Sequence, residues 1–193
     1  MSPNVKKLIA DVANKCLQNN FSFNLVYKKS VQAGKGIECS GYFDEKELIV
    51  AAKKKEWLDV LVHESCHLDQ LTENSKYWRT GEDGIIVMDS WLEKKKNYTS
   101  NRLEKAIKNT ILLELDCEKR TIKKIKKYNI KFDEKHYIQK ANSYLLSYWA
   151  AYRDRKWYPF PYEKKSIYNK MPQTFLSPKE YLTKNHQWLM LYK

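Results

Sequence analysis

The chain lacks any run of 18 apolar residues, which excludes a helix that crosses a membrane by itself. Its first residues lack a charged segment followed by an apolar stretch, so no secretory leader is expected and the expected location is cytoplasmic. No internal repeat appears, and no linker separates a second domain. The expectation is one domain over residues 1–193 with a sizeable core and a Pro/aromatic-rich C-terminal segment from about residue 154. The four cysteines, Cys16, Cys39, Cys66 and Cys117, are nowhere at C-x-x-C spacing, so they supply no metal motif of their own. They read as small buried thiols in a reducing compartment.

What the chain has in excess is positive charge: 36 Lys and Arg against 23 Asp and Glu, a formal net charge of +13. Lysine dominates, the charges are spread out, and no recognised nucleic-acid motif accompanies them. A solvated surface accounts for this, with weak, sequence-independent nucleic-acid binding as the other use of such an excess.

Ser2-Pro3 reads as an N-cap with proline in the first turn, and Val5, Leu8, Ile9, Val12, Cys16 and Leu17 recur at helical spacing, predicting a helix over 3–18. Three strands are expected next, at Phe21–Val31, Ile37–Phe43 and Glu47–Ala52. Turns at Ala33-Gly34-Lys35-Gly36 and Asp44-Glu45-Lys46 join them. A helix over roughly 55–72 follows. Gly81-Glu82-Asp83-Gly84 reads as a loop and Ile85–Lys96 as a short helix. Thr99-Ser100 caps a long helix over about 101–127, and Asp133 caps another over about 134–153. The rest, carrying Pro159, Pro161, Pro172 and Pro178, reads as irregular with a short helix near Lys179–Lys184. The fold class is α+β: an N-terminal helix, a small three-stranded sheet, a motif-bearing helix and a mainly helical C-terminal half.

That motif is His63-Glu64-Ser65-Cys66-His67, an H-E-x-x-H. Histidines at i and i+4 share one helix face and can reach one metal ion. Zinc suits imidazole, and the glutamate after the first histidine is placed to act as general base on a water. The helix is apolar around most of its girth, through Trp57, Leu58, Val60, Leu61, Val62, Leu68 and Leu71, so it reads as buried.

A catalytic zinc needs a third protein ligand. In the class with a third histidine close behind, that histidine would fall at Glu73 here. His136 and His186 are distant. In the 101–127 helix, Leu103, Ile107, Thr110, Cys117, Thr121 and Ile125 form one stripe at 100° per residue. Glu114 falls at its centre, Glu118 at its edge and Asp116 opposite. A core-facing carboxylate is costly unless bound or paired. Glu114 is the expected ligand, and Glu118 is expected to orient a histidine from behind. The alternative is a buried ion pair of Glu114 with Arg102, Lys105 or Arg120.

With His63-Glu64-x-x-His67 and Glu114-x-Asp116-Cys117-Glu118 in hand, the order of elements over residues 1–127 resembles the compact gluzincins of the ImmA/IrrE type. It is similar, more closely, to the uncharacterised zincin-like proteins of large tailed phages. In that pattern the ligand glutamate stands two residues before an acid and a small residue, as Glu114 stands before Asp116-Cys117. Here the spacing from the second histidine to the glutamate is longer, and the segment after residue 153 has no counterpart. The resemblance implies a zincin-like fold and a zinc metallopeptidase in the cytoplasm, the host's if phage-encoded. It would cleave a protein or peptide laid along the edge of strand Ile37–Phe43 or its neighbour. His136, Tyr77, Tyr98 and Tyr137 are the candidates to stabilise the oxyanion. The competing expectation is a basic nucleic-acid-associated or regulatory binding protein with a structural or degenerate zinc site.

Overall fold

The computed structural model describes residues 1–33, 37–44, 46–158, 160–184 and 187–192. Gly34-Lys35-Gly36 of the first expected turn, Glu45 of the second, Pro159 and His186 lie outside them. The chain forms two compact units, Met1–Ser75 with Cys117–Lys131, and Lys76–Asp116 with Phe132–Lys193.

In the first unit, α1 (Pro3–Gln18) begins as its cap dictates, the Ser2 hydroxyl accepting the Val5 N–H at 3.3 Å. Val5, Leu8, Val12 and Cys16 form its buried stripe. Among the described residues, five short strands follow where three were expected: β1 (Ser22–Val26), β2 (Val31–Ala33), β3 (Ile37–Cys39), β4 (Gly41–Phe43) and β5 (Glu47–Ala51). They make a three-stranded sheet in the order β1-β5-β4, β1 parallel and β4 antiparallel to β5, and a separate antiparallel pair β2-β3. The strand expected over Ile37–Phe43 is divided because it changes partner at Ser40. Cys39 pairs with Val31, whereas Gly41 pairs with Val50. Buried Ser40 keeps its polar groups satisfied at the switch: its carbonyl accepts the Ala51 N–H at 2.9 Å and its hydroxyl the Lys54 ammonium at 3.0 Å. Leu48 and Val50 alternate into the core, as a half-covered strand requires. Behind the sheet lies α2 (Trp57–Thr72), with Leu61, Val62, Cys66 and Leu68 fully buried.

The second unit is helical. The expected Gly81–Gly84 loop and short Ile85–Lys96 helix are instead one continuous helix, α3 (Lys76–Leu92). A Cβ on Gly81 would meet the Leu113 side chain at 2.5 Å, and one on Gly84 the Ala106 carbonyl at 2.6 Å. These glycines let α3 approach α4 (Ser100–Lys127), and the packing outweighs a helix-propensity penalty of about 1 kcal/mol each. Residues of α4 up to Asp116 belong to this unit, and those from Cys117 to the first. The Asp133 side chain caps α5 (Glu134–Asp154) by accepting the His136 N–H at 3.0 Å. The C-terminal segment adds α6 (Lys165–Tyr168), α7 (Pro178–Tyr181) and two 3₁₀ turns, Pro161–Glu163 and Gln187–Leu191. Tyr181 and Tyr192 from this segment are fully buried with Trp149, whose indole N–H donates to the Tyr181 carbonyl at 2.7 Å. Among the described residues no helix is long and apolar enough to cross a membrane.

Candidate metal centre

One turn of α2 brings the two imidazoles together, their Nε2 atoms 3.1 Å apart and their rings edge-on at 82°. Donors on a tetrahedral zinc, each about 2.05 Å from the ion, would stand about 3.3 Å apart. Each ring is braced at its other nitrogen. His67 Nδ1 lies 2.9 Å from Gln70 Oε1, and His63 Nδ1 lies 3.4 Å from Glu118 Oε1 and 3.7 Å from the Cys117 sulfur. The two Nε2 atoms are within hydrogen-bond distance of each other, and each Nδ1 has an acceptor oxygen near it. With the protons on Nδ1, both Nε2 lone pairs would face one point that a cation could occupy.

His63, His67 and Cys117 form a group whose donor atoms all lie within 4.8 Å of one another, His67 and Cys117 buried and His63 partly so. This group could hold a metal ion. The Cys117 thiol also donates to the His63 carbonyl at 3.3 Å. Its neighbour Cys66 is buried, which opposes ionisation. The Cys117 thiol, the Lys124 ammonium and the Thr121 hydroxyl nonetheless bring its pKa down to about 7. Glu64 is partly buried, and its charge reaches Cys39 of β3, where burial first and the Glu64 carboxylate second raise the thiol pKa.

The expected stripe of α4 is buried throughout: Leu103, Ile107, Thr110, Glu114, Cys117, Glu118, Thr121 and Ile125. Asp116 is only partly covered. Glu118 stands behind His63. Glu114 belongs to the second unit, where its Oε1 accepts the Tyr148 hydroxyl at 3.3 Å. Burial and the Glu114 charge hold the Tyr148 pKa well above its ordinary value. Of the cations weighed as partners for Glu114, Arg102 pairs with Asp83 and Arg120 with Glu73, both at 2.6 Å. The four oxyanion candidates are also in the second unit. His136 packs edge-on against Tyr168 and Tyr137 against Phe132, while Tyr77 and Tyr98 lie under Lys76 and Lys96.

Two participants escape a reading of the sequence. Gln70 could have been found, because it stands three residues after His67 on the same helix. Cys117 as a possible metal donor has no local signal. No family model, curated protein or solved structure matches the chain.

Proposed function

We propose that this chain is a zinc-dependent metallopeptidase that hydrolyses a peptide bond in a protein partner. The observation that carries the reading is the pair of Nε2 atoms 3.1 Å apart within H-E-x-x-H, each ring braced from behind. His63 and His67 would hold the ion, and zinc is the metal that imidazole donors in a tetrahedral arrangement favour. Glu114 is proposed as third ligand from its place on the buried stripe of α4 and from the resemblance, with Cys117 as the competing donor by proximity. When bound, zinc supplies a Lewis acid that polarises a carbonyl and makes water more acidic.

The remaining work falls to side chains of the protein. Glu64, beside His63 in sequence, takes the proton of the attacking water and returns it to the leaving amine. Glu118 and Gln70 hold the two rings in the tautomer that leaves Nε2 free to donate. β4 lies at an edge of the three-stranded sheet and offers main-chain groups to an extended peptide.

The test is metal analysis of protein purified without chelators, followed by cleavage of a mixed fluorogenic peptide library. Wild type and Glu64→Gln should each carry about one zinc per chain. Hydrolysis by Glu64→Gln should fall several hundred-fold or more, within the roughly 10²–10⁴ range of general-base contributions. Protein that holds no zinc, or equal turnover by the two forms, overturns the proposal.

A further inference from the structure

α1, α2 and the last turns of α4 enclose a cavity of about 430 Å³ in the first unit. At 100° per residue, its lining residues on α2, among them Ser65 and Asp69, fall on the face opposite His63 and His67. It is therefore distinct from the metal centre and independent of the metallopeptidase reading. Leu8, Val12 and Leu68 lie behind it, buried, and the surface it presents is made by charged side chains and the half-buried Tyr128.

The charges do not cancel. Asp69 lies between Lys15 at 2.6 Å and Lys124 at 2.5 Å, and Lys124 spends its other N–H bonds on the Ser65 carbonyl and hydroxyl at 3.1 and 3.0 Å. Glu73 holds Arg120, and Asp11 accepts the Tyr128 hydroxyl at 2.7 Å. Lys123 and Lys127 also line the cavity, one turn apart on α4 and exposed. Among the described residues neither has a carboxylate partner. Like charges four residues apart on a helix repel, and an anion placed between them relieves that repulsion.

We propose that this cavity binds a phosphate monoester carried on a compact apolar or aromatic body. The phosphate dianion meets the ammonium groups of Lys123 and Lys127, for which lysine is an apt point charge. The body lies against the Tyr128 ring, which lines the cavity beside Lys127. The volume suits a ligand of mononucleotide size. Within the cavity the surplus is two lysines at a concave site, which favours a small molecule over a nucleic-acid strand.

Equilibrium dialysis of the full chain against AMP at low salt tests this, with inorganic phosphate as competitor. The expected result is saturable binding of about one AMP per chain, displaced by inorganic phosphate only at higher concentration. The exposed pair Lys123→Gln/Lys127→Gln should weaken it roughly tenfold or more, whereas Lys6→Gln/Lys7→Gln, which removes the same charge outside the cavity, should change it less than about twofold. Unchanged thermal melts establish that both variants fold. No saturable binding at about 10 mM AMP overturns the proposal. So do equal losses in the two variants, inorganic phosphate binding as tightly as AMP, or mixed-sequence DNA binding that both variants weaken alike.

Discussion

The imidazoles of His63 and His67 have no freedom to miss each other, because one helical turn fixes both. That is why His63, Glu64 and His67 are legible from spacing alone. Cys117 is not, because its nearness to His63 depends on how α4 is rotated against α2, and no residue pattern within α4 states that rotation. The acids and the thiol of α4 are ranked as third ligand by zinc competition against a chelator. Glu114→Ala is expected to lose the most affinity. Glu118→Ala should lose about 10–100-fold, as partners that orient a ligand do. Asp116→Ala should change little, since its side chain is on the less buried side of the helix. If Cys117→Ser strips the metal while Glu114→Ala retains it, the thiol is the donor and the carboxylate assignment fails.

α1, α4 and α5 follow from periodicity and caps, because each carries both signals in its own sequence, whereas α2 follows from its apolar pattern, its N-cap Glu56 making no side-chain cap bond. The sheet is less legible, since a strand that exchanges partners at Ser40 has the same alternation as one that does not. Glycine misleads most at Gly81 and Gly84. A loop and a close helix crossing both want a residue without a side chain, and only the neighbour distinguishes them. Gly84→Ala should therefore destabilise the protein by about 1–3 kcal/mol through overpacking against α4, although alanine is the better helix former. A urea midpoint that rises in this variant would show that α3 does not approach α4 there. In the first unit, Lys124 ties α4 to α2 through Ser65 and Asp69 with a side chain only 16% exposed. Lys124→Met leaves those acceptors underused, and a loss of about 2–3 kcal/mol in urea unfolding is expected. An unchanged midpoint removes that tie from the account of the fold.

At the scale of the molecule, a division into two units cannot be read from composition, because the first unit is built from two separated stretches of chain. A ligand that binds only the folded form stabilises it by about 2.7 kcal/mol at a hundredfold excess over its dissociation constant. In scanning calorimetry, added zinc should raise the transition of the unit that contains His63 and His67, and should not do so in the His63→Ala variant. A thermogram indifferent to zinc contradicts the metal centre. The interleaved chain has a further consequence, for the order of synthesis. His63 leaves the ribosome 54 residues before Cys117. In that interval all of α3 and the opening turns of α4 emerge, so α2 is complete while the sulfur and the Glu118 carboxylate that will back His63 do not yet exist as chain. A nascent polypeptide halted near Ser75 carries both histidines and Gln70 but neither Cys117 nor Glu118, so the group of His63, His67 and Cys117 is completed only after the first stretch of the second unit has been translated.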